Sequence, residues 1–101
     1  MLDANDQMPL EYSLSQNYPN PFNPMTNISF SVVSSGQVSL KVYDLSGKEI
    51  NELTNDFYVP GTYNVIWDAT DSYGNQVSSG IYIYQLHTND IVLSNSMILM
   101  R

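Results

Sequence analysis

The sequence predicts an all-β fold, an antiparallel β-sandwich of about seven short strands, and three observations carry that reading. Apolar residues recur at every second position in several windows, turn residues interrupt the chain at short intervals, and no window supports an amphipathic helix of useful length. Alternation of this kind, rich in β-branched and aromatic residues, marks strands with one face buried.

Ile28, Phe30 and Val32 alternate with Asn27, Ser29 and Ser31, and Val38, Leu40 and Val42 alternate with Gln37, Ser39 and Lys41. Tyr63, Val65 and Trp67 share a face, as do Tyr82, Tyr84 and Leu86. A shorter strand is expected over Glu49–Leu53 and a final one over Ile91–Met100. Between them, Ser34-Ser35-Gly36 separates the first two strands, and Pro60-Gly61 suits a type II turn. Asp44-Leu45-Ser46-Gly47 and Asp71-Ser72-Tyr73-Gly74 both place Asp first and Gly fourth, as a type I turn favours. Thr88-Asn89-Asp90 can close a last hairpin.

A chain of 101 residues, 43% apolar, fits one domain with one core. Residues 1–17 are polar and aperiodic and read as a linker, leaving residues 18–101 as the domain. The domain opens on Tyr18-Pro19-Asn20-Pro21-Phe22-Asn23-Pro24, where three prolines remove three backbone donors and favour polyproline II geometry. This is expected to be a stiff entry piece, with Tyr18 and Phe22 docking onto the strands downstream.

Ten acidic residues against three basic ones give a net charge of −7. Without a basic stripe to release counterions, nucleic acid is not an expected partner. The longest apolar runs, such as Met97–Met100, fall far short of the roughly 20 residues of a membrane-spanning helix, so no direct membrane insertion is expected. The chain has no cysteine, which removes disulfides and thiolate metal sites. The N-terminus lacks a basic and apolar signal sequence, so an exported parent would carry one upstream.

Little here points to catalysis, and no enzyme or cofactor is expected. His87 is the only histidine, at a strand end, and no serine lies in a Gly-x-Ser-x-Gly elbow. Asp68 and Asp71 are weak calcium candidates, since paired loop carboxylates can hold a hard cation, but the EF-hand spacing is missing. Turn architecture is the favoured role for them, because Asp at a turn start accepts backbone amides. The eight tyrosines and Trp67 raise carbohydrate stacking. Yet Tyr82, Tyr84, Tyr63 and Trp67 sit in register with aliphatics, which favours a core. Tyr12, Tyr18, Tyr43, Tyr58 and Tyr73 fall outside those stripes.

Several segments together resemble one family. Leu14-Ser15-Gln16-Asn17 with Tyr18–Pro24 after it resembles the opening of the type A C-terminal sorting domains of the bacterial type IX secretion system. Ile28-Ser29-Phe30, Val38–Asp44, Gly47–Ile50, Gly61-Thr62-Tyr63, Trp67-Asp68 and Ser79–Leu86 come in that family's order. Met97–Arg101 resembles its apolar final strand with a basic cap. Ser94-Asn95-Ser96 departs from it, since relatives often carry lysine there.

The resemblance implies an immunoglobulin-like sandwich that acts as an export tag of a larger, secreted or surface protein of the Bacteroidota, reached through the periplasm. Its implied partners are the type IX outer-membrane machinery and a sortase-like peptidase, with residues 1–17 as the natural place for cleavage. For receptor recognition it implies the terminal set Met97, Ile98, Leu99, Met100 and Arg101, read by strand pairing at an exposed edge. Other readings are a structural or adhesive module, like the one in flagellar hook-capping proteins, and an accessory carbohydrate-binding domain of a secreted hydrolase.

Overall fold

The computed structural model describes residues 9–101. Among them are seven strands: β1 (Ser13–Leu14), β2 (Thr26–Val32), β3 (Gly36–Tyr43), β4 (Glu49–Tyr58), β5 (Gly61–Trp67), β6 (Gly80–His87) and β7 (Val92–Leu99). They form a three-stranded sheet in the order β1-β2-β5 and a four-stranded sheet in the order β4-β3-β6-β7, with every neighbouring pair antiparallel. The two sheets face each other as the expected sandwich.

The period-two residues meet between the sheets. Ile28, Phe30 and Val32 from one sheet pack with Val38, Leu40, Val42, Tyr82, Tyr84, Leu86, Met97 and Leu99 from the other. Trp67 stands edge-on to Tyr82 with ring centroids 5.4 Å apart. Phe30, Tyr58 and Tyr63 form a second aromatic group. β2, β3 and β6 thus hide one face fully, the condition that fixes their register.

One connection and one strand differ from the sequence expectation. Ser34 and Ser35 separate β2 from β3 as expected, but Pro60-Gly61 does not form a type II hairpin turn, because β4 and β5 lie in different sheets. Gly61 accordingly has φ of 159°, far from the roughly 80° of a type II turn. β4 runs on to Tyr58, five residues past the expected end. The two Asp/Gly turns form as predicted: Gly47 and Gly74 adopt φ of 89° and 87°, and their amides bond the Asp44 and Asp71 carbonyls at 3.0 Å.

The Gly-x-Tyr pairs that begin β5 and β6 repeat one device. Tyr63 Oη donates to the Val59 carbonyl and Tyr82 Oη to the Ser78 carbonyl, each at 2.6 Å. A tyrosine tied to backbone four residues upstream pins the point where the chain enters a strand.

Candidate functional site

The expected linker is divided by the structure. Residues 1–8 lie outside the described residues, while Ser13 and Leu14 pair with Ser31 and Phe30 of β2. The folded part therefore starts upstream of Tyr18. Two residues cannot display a period, which is why composition alone assigns them to the linker.

The proline-rich motif links the two sheets. Tyr18 exchanges both backbone hydrogen bonds with Asn27, at 2.9 and 2.8 Å, at the end of β2. The chain then crosses to β7, where the Phe22 amide donates to the Ile98 carbonyl and the Met100 amide donates to the Phe22 carbonyl, both at 3.0 Å. The Asn20 side chain accepts the Ile98 amide at 2.9 Å. All three X–Pro bonds, at Pro19, Pro21 and Pro24, are cis. Instead of a solvated polyproline II rod, the segment is bent and bonded to the sheets on both sides. Phe22 docks as expected: it is buried, 5.8 Å from Trp67. Tyr18 docks through its backbone only, and its ring is 79% exposed.

A buried polar cluster holds this segment in place. Asn17 Nδ2 donates to Thr26 Oγ1 at 2.9 Å and to the Pro19 carbonyl at 3.1 Å, while Thr26 Oγ1 donates to the same carbonyl at 2.9 Å. From β6, Tyr84 Oη accepts the Asn17 amide at 2.8 Å and donates to the Ser15 carbonyl at 2.7 Å. Burial pushes the Tyr84 phenol above its ordinary range, partly offset by its bonds to Asn95 and Asn17. Each member has a partner, so the cluster carries little of the penalty of buried polarity. Sequence reasoning places Asn20 in the proline-rich motif but does not single out Asn17 or Tyr84 as site residues. The signal is the Asn beside each proline turn, a residue type that bonds nearby backbone.

The terminal strand splits the five expected recognition residues. Met97 and Leu99 point into the sandwich, at 0% and 1% exposure, whereas Ile98 and Met100 point outward at 39% and 58%. β7 is an edge strand of its sheet, as expected. Its C-terminal half is not a bare edge, however, because the motif covers it. Arg101 is not a free charge either. Its guanidinium donates to the Val77 carbonyl at 2.6 Å and the Ala69 carbonyl at 2.9 Å, and its amide donates to Ser79 Oγ at 2.9 Å. The last residue thereby fastens the loop between β5 and β6.

With that pairing of opening motif and final strand in view, a family model described as a secretion system C-terminal sorting domain matches residues 16–100. The chain belongs to this family. It is a type IX secretion C-terminal sorting signal. No curated protein matches it. Among solved structures, the sorting domain is similar in fold to part of dimeric latent PorU from Porphyromonas gingivalis, with a TM-score of 0.72 and 22% identity over 84% of this chain and 9% of that one. PorZ, a surface component of the type IX secretion system of the same organism, gives 0.54 and 22% over 89% and 11%. FlgD from P. aeruginosa gives 0.57 and 24% over 75% and 64%. The sorting domain thus spans about a tenth of the PorU and PorZ chains and less than two thirds of FlgD.

The remaining candidates of the sorting domain have structural work. His87 Nε2 lies 3.0 Å from Gln85 Oε1 on the same strand. The Asp71 carboxylate accepts the amides of Tyr73 and Asn75 at 2.9 Å, and Asp68 accepts the Thr70 hydroxyl at 2.5 Å. Asp44 serves its own turn in the same way, and its bond from Ser46, with that from the Lys48 amide, holds its carboxyl below the usual range. Both turns flank a groove of about 530 Å³ that Tyr73 and Ile81 also line. Of the tyrosines outside the stripes, Tyr18 and Tyr73 are exposed, while Tyr12 and Tyr58 pack against the core.

Proposed function

We propose that this sorting domain is read by the type IX outer-membrane machinery along β7 and performs no reaction of its own. The supporting observation is that the family's proline-rich opening is bonded to the final strand, so both ends of the recognised region form one surface. Of the terminal set, Ile98 and Met100 are the side chains a receptor touches. Met97 and Leu99 act by keeping the strand seated, and Arg101 acts by fixing the adjoining loop. The parent passes through the periplasm, and the machinery carries it to the surface.

A sortase-like peptidase then removes the domain. Its cut falls upstream of Ser13, because β1 is locked in the sheet while Leu10 and Glu11 are exposed.

Deleting Met97–Arg101 from a passenger fusion is expected to block surface display, but that deletion also empties the core. Ile98→Asp separates the two effects. Its side chain faces out, so the melting temperature should shift by only a few degrees while display falls several-fold. Wild-type display by both variants would refute recognition along β7.

A further inference from the structure

The amide and carbonyl of Ile98 point away from β6, toward Asn20 and Phe22. The β6–β7 register runs unbroken from Gly80↔Leu99 to His87↔Val92. Antiparallel pairing alternates, so Ser96, Ser94 and Val92 direct their backbone groups outward as well. Gln16 Nε2 takes the Ser96 carbonyl at 2.8 Å. Among the described residues, nothing pairs with the Ser96 amide or with either group of Ser94 and Val92.

We propose that the outer edge of β7 from Val92 to Ser96 is a strand-addition site for an extended segment of a partner protein, and that the proline-rich motif sets where this site ends. Over Ile98–Met100 the edge is closed by Phe22, and the flanking Pro21 and Pro24 have no N–H with which to extend the sheet further. Over Val92–Ser96 there is no proline and no charge, and Val92, Ser94 and Ser96 are exposed. Edges without such guards add strands readily. One half of the strand is guarded and the other is not, which marks the open half as the one that pairs.

The occupant is an uncharged extended segment, since Val92, Ser94 and Ser96 present only aliphatic and hydroxyl groups beside it. It belongs to a different protein: two copies of this domain would each bring a charge of −7 to an edge-to-edge pair. The inference rests on the sorting role and locates the contact within it.

Ser94→Pro tests the site, because proline is tolerated on an edge where its missing N–H faced outward. The variant should keep its melting temperature within a few degrees and lose tenfold or more of passenger display. Wild-type display by a folded Ser94→Pro would overturn the site. If that variant does not fold, Val92→Pro, which removes the next outward amide, decides on the same criterion. Sedimentation showing a wild-type dimer that Ser94→Pro abolishes would overturn the partner assignment in favour of a second copy. A passenger lacking the whole domain runs in parallel, and its normal display would refute the sorting role itself rather than this site.

Discussion

The two edges of the four-stranded sheet are protected in different ways. β4 guards its edge with its own residues. Its pairing with β3 skips Leu53 and Ile50, two bulges that bend the strand. It also carries Glu49, Glu52 and Asp56, with Lys41 of β3 3.5 Å from Glu49 and 3.7 Å from Glu52. β7 has no bulge and no charged side chain, and its C-terminal half relies on the distant segment Gln16–Phe22. A self-guarded edge survives any change elsewhere, whereas a borrowed guard ties the state of the edge to the start of the domain.

Breaking the borrowed guard should have the largest effect. Phe22→Ala removes a buried ring against Trp67 and should cost about 3–5 kcal/mol by urea unfolding. It should also loosen the Phe22 backbone bonds on β7, so the Met100 amide exchanges its hydrogen faster in the folded fraction. Next is the anchor beneath it. Tyr84→Phe leaves the Asn17 amide and the Ser15 carbonyl without their buried partner and should cost about 1–3 kcal/mol.

Alkali reports on the same residue. Well below pH 10.0 the Tyr84 phenol is protonated in both folded and unfolded chains and makes no difference. Above it the unfolded chain ionises first, so stability falls as pH climbs toward the raised folded value. Tyr84→Phe should flatten that fall in thermal melts between pH 9 and 11, within about one unit of the ordinary phenol value.

The smallest effect belongs to the self-guarded edge. Lys41→Gln should change stability by less than about 1 kcal/mol, since its two ion pairs are partly exposed. The difference should shrink further in high salt. Self-association should not change, because the β4 bulges remain.

The same contrast explains what can be read from the sequence. β2, β3, β5 and β6 are legible because each buries one face and alternates cleanly. β4 reads short because Ile50 and Leu53 bulge and break the alternation beyond Glu52. Within the terminal set, period two already separates Met97 and Leu99, which fill the sandwich, from Ile98 and Met100. Arg101 looks like a free cation, and nothing local in the sequence places the Ala69 and Val77 carbonyls beside it. Asn17 reads as linker for the same reason: its partners, Thr26 and Tyr84, lie 9 and 67 residues away.

The sorting role is tested most directly by grafting the whole 101-residue chain onto the C-terminus of a periplasmic reporter and tracking it in two strains, one with a working type IX system and one without. Surface reporter in the first strain and periplasmic reporter in the second is the predicted result. The same location in both strains would contradict it.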